Sequence, residues 1–201
     1  MRRHLMAILV LALLAHTSAL TAFAQAGAAA APTSGARSEF LFELAGMEKR
    51  FVDLAERIPA EKYTWRPGEG VRSISEVLLH VAGANFNIPR LIGTQPPAGF
   101  QPKGFDTSTT EKAKVSETVK QSFAHFREAV TGLADAGVEN PLKLFGRENT
   151  YRGVMLFAAR HMGEHLGQLI AYARINGVVP PWTEEQQQRQ RQQQQAPAAK
   201  K

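Results

Sequence analysis

Four apolar stripes, each spaced at three- and four-residue steps and each closed by proline or glycine, constrain this chain more than any other feature. Residues that recur this way fall on one face of a 3.6-residue helix. The first stripe is Phe40, Leu44, Met47, Phe51, Leu54 and Ile58, which predicts a helix from about Ser38 to Ile58 that Pro59 ends. The second opens on Ser73-Ile-Ser-Glu76, a capping box in which the serine hydroxyl and the glutamate side chain satisfy each other's free backbone amides. Val77, His80, Ala84, Ile88 and Leu91 follow, and Pro89 kinks or ends the last turn.

Residues 93–107 form a Pro/Gly-rich crossover, after which Ser108-Thr-Thr-Glu111 reads as a second capping box. Val115, Val119, Ser122, Phe126, Val130 and Leu133 carry the third stripe to near Gly137. A loop over 139–149 leads to a fourth helix starting around Thr150. Along one side it places Val154, Phe157, Ala158, His161, His165, Gln168 and Tyr172. Met162, Leu166 and Leu169 widen the apolar arc, and Gly177 and Pro180-Pro181 stop it. With no alternating strand pattern, the reading is all-α: a four-helix bundle with long crossover connections.

The ends of the chain read differently. Arg2 and Arg3, the apolar run Leu5–Ala15 and the small residues Ala22-Phe23-Ala24 have the layout of a secretory signal peptide over residues 1–24. The apolar run is too short to span a bilayer, and no cysteine follows it to carry a lipid. The expectation is an exported protein, periplasmic or secreted, with no stable membrane anchor. Residues 25–36 read as a flexible linker, 37–182 as the bundle, and 183–201 as a disordered glutamine-rich tail with no apolar content to pack.

The formal charge of +6 does not describe the domain. Between Arg37 and Trp182 there are 18 Lys+Arg against 16 Asp+Glu, a net of +2, and the signs are interspersed. That leaves no basic stripe for phosphates and argues against a nucleic-acid partner. The chain has no cysteine, which excludes disulfides and thiol nucleophiles and leaves only nitrogen or oxygen to hold a metal.

Against that background the stretch Arg160-His-Met-Gly-Glu-His-Leu-Gly-Gln168 is unusual. His161 and His165 are four residues apart, so their side chains diverge by only about 40° around the helix. The pair alone fits core residues, a protease-like zinc signature or another metal site. His80 lies on the inward stripe of its own helix, where packing alone would place an apolar side chain. Buried imidazoles are neutral and expose lone pairs, and three that converge are satisfied together by a divalent ion. Three protein ligands leave a fourth position for water or substrate. His125 points about 80° away from its stripe and reads as a surface residue. Glu76, Asn87, Gln168 and Tyr172 share the histidine faces and are candidates to orient the ligands or face a substrate.

Two stretches now resemble a known family. Tyr63-Thr-Trp-Arg-Pro-Gly-Glu-Gly-Val-Arg-Ser-Ile-Ser-Glu-Val-Leu-Leu-His80-Val-Ala-Gly-Ala-Asn85 resembles the second-helix signature of DinB-like four-helix bundles, and His161-x-x-x-His165-x-Gly-Gln168 resembles their last-helix signature. The resemblance spans roughly residues 38–182. It implies a divalent metal held by one histidine of the second helix and two of the last, here matching His80, His161 and His165. It also implies membership among relatives that include thiol-dependent transferases and isomerases, and that often form homodimers.

The functional expectation is a metal-dependent hydrolase or transferase acting on a small molecule. Zinc or nickel suits the ligand set first, with copper, cobalt or iron also allowed. No residue stands out as a separate catalytic base. The alternative is a non-catalytic bundle that binds metal or ligand. A zinc protease is a further reading, because His161-Met-Gly-Glu164-His165 matches H-x-x-E-H. Such an enzyme needs a distant acidic ligand, however, and the only acids after His165 are Glu184 and Glu185.

Overall fold

The computed structural model describes residues 35–195. The expected signal peptide and most of the expected linker lie outside these residues. Four long helices carry the fold: α1 (Ala36–Arg57), α2 (Ile74–Asn87), α3 (Lys112–Thr131) and α4 (Tyr151–Ile175). α1 packs on α3 and α4, and α2 packs on the same two. The order around the bundle is therefore α1–α3–α2–α4, so the links from α1 to α2 and from α3 to α4 must cross a diagonal. That geometry explains why neither connection is a short turn.

The stripes form one core. Phe40, Leu44, Phe51, Leu54 and Ile58 are buried from the first helix, and Val115, Val119, Phe123, Phe126 and Val130 from the third. Tilted aromatic pairs join the two, Phe40 to Phe126 at 5.4 Å and Phe51 to Phe123 at 5.7 Å between centroids. The capping box at Ser73 is formed: the Glu76 amide donates to Ser73 Oγ at 3.3 Å, and the Ser73 amide donates to Glu76 Oε2 at 2.7 Å. Pro89 does end α2, whose last turn tightens into a 3-10 segment over Ile88–Ile92. Leu91 then falls on the exposed side of that segment, off the inward stripe.

Three expectations change. The second capping box does not form, because α3 starts later, with Glu111 as its N-cap and no side-chain cap bond; Thr109 Oγ1 instead accepts from the Glu111 amide. The predicted loop before the fourth helix contains a hairpin, β1 (Pro141–Leu144) paired antiparallel with β2 (Arg147–Thr150). Its two-residue turn, Phe145-Gly146, has φ of 52° and 79°, the positive pair that a type I′ hairpin turn requires. Beyond α4, a further helix, α5 (Pro181–Gln195), takes in the described part of the tail expected to be disordered from residue 183. No residue of α5 is buried, in keeping with the absence of an apolar stripe. It touches α1 through an Arg57–Glu184 ion pair at 2.6 Å and through Arg50 stacked over Trp182. Among the described residues no helix is long and apolar enough to cross a membrane.

Candidate metal centre

The deepest residues of α4 are Val154, Met155, Ala158, Met162, Leu166, Leu169 and Ala173. His161 and His165 lie on the margin of that buried arc, where α4 meets α2, and are only half-buried. His80 approaches from α2. The ring centroids are 5.1 Å apart for His80–His161, 4.7 Å for His80–His165 and 4.6 Å for His161–His165. One nitrogen from each ring can be chosen so that all three lie within 4.8 Å of one another. The three residues that the helical spacing places on facing stripes therefore do meet, and the cluster could hold a metal ion.

The donor set fits an ion on this structure's own terms. His80 Nε2 and His161 Nε2 face each other at 3.1 Å. Two imidazole nitrogens bound tetrahedrally to one zinc-like ion would stand about 3.3 Å apart. Burial, first, and the neighbouring charges of Arg72 and His165 lower the His80 pKa to about 4. Burial, with His165 and His80, lowers that of His161 to about 4. Both rings are therefore neutral at pH 7 and carry lone pairs. His161 Nδ1 is buried without a hydrogen-bond partner.

His165 is oriented from outside. Its Nδ1 lies 2.9 Å from Gln168 Oε1, and Gln168 Nε2 donates to the Tyr172 hydroxyl at 2.8 Å. With that amide orientation His165 Nδ1–H is the donor, which leaves Nε2 as the ring nitrogen available to a metal. Such relays fix the ring and raise its basicity as a ligand. Tyr172 is itself held edge-on against Trp65 at 5.3 Å. Of the residues expected to orient a ligand or face a substrate, Gln168 thus bonds a histidine of the cluster and Tyr172 bonds Gln168.

Glu76 is engaged elsewhere. Its carboxylate accepts from the Ser73 amide and from Arg66 at 2.7 Å, so the cap consumes the group expected to serve His80. Asn87 lines a cleft with His80. His125 is not the surface residue expected. It is half-buried, with its ring 5.7 Å from Phe86, a hydrogen bond to the Phe86 main chain, and Nε2 buried without a partner. Burial lowers its pKa. The end of α2 covers that side of α3, which the period of the α3 stripe alone does not reveal. His125 nevertheless stays outside the three-histidine group.

Glu164 pairs with Arg160 on the solvent side of α4, and among the described residues no carboxylate joins the three histidines. The protease pattern therefore lacks both its base and its acidic ligand. The sequence reading located the crossover but not its place beside the histidines. The 3-10 turn Phe105–Thr107 sets Phe105 and Asp106 beside His80, and Asp106 Oδ2 accepts from Arg72 Nε at 3.4 Å. The available signal was a pair of phenylalanines, Phe100 and Phe105, in an otherwise Pro/Gly-rich loop.

Known proteins share this architecture. The chain is 25% identical over 125 residues to the uncharacterized protein YjoA of Bacillus subtilis strain 168, covering 62% of this chain and 80% of that protein. A crystal structure of a DinB-like protein from Bacillus cereus superposes with a TM-score of 0.63 at 17% identity, over 71% of this chain and 93% of the other. The crystal structure of YjoA gives 0.55 at 17% identity, over 69% and 92%. These structural likenesses carry the fold. Residues 43–169 match the model of the DinB superfamily, and the chain belongs to that superfamily.

Proposed function

We propose that this protein is an exported, metal-dependent hydrolase or transferase of a small molecule, with one divalent ion, zinc or nickel first, held by His80, His161 and His165. The observation that carries this reading is the convergence of three imidazoles from two helices at the margin of the bundle, beside an open cleft. A purely structural ion would be better served by a fourth protein ligand, and among the described residues none gathers there. When bound, the ion supplies Lewis acidity, which polarises a carbonyl and lowers the pKa of a water or thiol.

The protein's own groups do the rest. Gln168 holds His165 in one tautomer, burial keeps His80 and His161 unprotonated, and Asn87 and Asp106 offer polar contacts on the cleft side. The test is a panel of small ester, amide and thiol-transfer substrates, run with zinc- or nickel-loaded protein, metal-stripped protein and His161→Ala. Turnover by the loaded wild type alone supports an enzyme. Tight ligand binding without turnover supports instead a non-catalytic binding bundle, and identical rates in all three forms overturn the metal-dependent reading.

A further inference from the structure

The crossover between α2 and α3 is built against the metal centre. Phe100 and Phe105 pack with Phe86 at 5.5 and 6.1 Å, and with each other at 5.0 Å. Glycine at residue 83 lets Phe105 sit close against α2: a Cβ there would lie 3.0 Å from Phe105 Cδ1 and would push the ring outward. Between this wall and His80 lies a cleft of about 200 Å³, with Asn87 and Asp106 at its polar corner. A cavity of about 150 Å³ with apolar walls suffices for a benzene ring. Edge-to-face packing against phenylalanine favours a flat aromatic guest over an aliphatic one. An ionised carboxylate only accepts hydrogen bonds, and Arg72 pins that of Asp106.

We infer that the crossover is the specificity wall of the site. It selects ligands that place an aromatic-sized apolar group beside the histidine-held ion and present an N–H or O–H donor to Asp106. This inference rests on the metal reading above, and the experiment separates the two.

The probes are acetohydroxamate, benzohydroxamate and 3-aminobenzohydroxamate, which share one metal-binding head. Affinities are measured by calorimetry on the cobalt-loaded chain from residue 25 to 201. Benzohydroxamate should bind at least about tenfold more tightly than acetohydroxamate, the scale set by burying a few apolar carbons, and the amino derivative more tightly still. Phe105→Ala, or Phe105→Leu if the alanine variant does not fold, should bring the ring preference to within about twofold while leaving cobalt content and acetohydroxamate affinity unchanged. Asp106→Ala, which removes the acceptor, should cancel the gain from the amino group alone. Equal affinity of wild type for the methyl and phenyl probes, or a preference that survives loss of the Phe105 ring, overturns the inference while the metal site stands. A wild-type chain that takes up no cobalt, or binds no acetohydroxamate when loaded, contradicts the metal reading itself, and this inference with it.

Discussion

Acidifying the metal-free protein should expose the cost of keeping two imidazoles uncharged. His80 and His161 have pKa values of about 4 in the fold against 6.5 for the free side chain. Between those values the unfolded chain binds protons that the folded chain refuses, so stability rises with pH across this window. The contribution is therefore present above pH 6.5 and is lost as the pH falls towards 4. Full desolvation would make such a shift worth about 3 kcal/mol per group. Both rings are only half-buried and face each other at 3.1 Å. Solvent screening and coupled titration reduce the figure to about 1 kcal/mol each. The urea midpoint in the presence of a chelator should thus fall by about 1 M between pH 6.5 and 4, for a loss near 2 kcal/mol. The His80→Ala/His161→Ala protein should show a flatter profile, retaining the slope owed to His125, whose pKa is lowered in the same direction. Parallel profiles for wild type and double variant would refute the reasoning.

Gln168→Leu removes the acceptor at His165 Nδ1 and should weaken metal binding by about 10- to 100-fold in chelator competition. Gln168→Glu, which keeps an acceptor, should restore most of it. Ser73→Ala breaks the capping box and should cost about 1 kcal/mol in urea unfolding at unchanged metal affinity. The exported form should begin at Gln25 in terminal sequencing, and an intact Met1 in the cell envelope fraction would contradict the signal-peptide reading.

What the sequence made legible was whatever repeats with the period of a helix. The stripes of α1 and α3 became the core, the capping box at Ser73 formed, and His80, His161 and His165 met because each lay on the side of its helix that borders the other. What escaped depends on contacts between elements. The hairpin rests on Leu142 and Leu144 alternating beside a Phe145-Gly146 turn, a pattern of four residues a side that helix periodicity overshadows. His125 is covered by the end of α2, not by its own stripe, so its angle on α3 misled. Glu76 has the right spacing to serve His80, but the cap and Arg66 claim its carboxylate first. Asp106 belongs to no periodic element, and its place beside His80 follows from Phe105 entering the notch at Gly83.

Metal stoichiometry tests the central claim most directly. Wild-type protein reconstituted with zinc or nickel and dialysed against a weak chelator should retain one ion per chain by elemental analysis. His80→Ala, His161→Ala and His165→Ala should each lose it, because two imidazoles seldom hold an ion against competing ligands, whereas His125→Ala should keep it. Full occupancy in all four variants would place the ion elsewhere. No occupancy in the reconstituted wild type would leave the three histidines as packing residues and contradict the account.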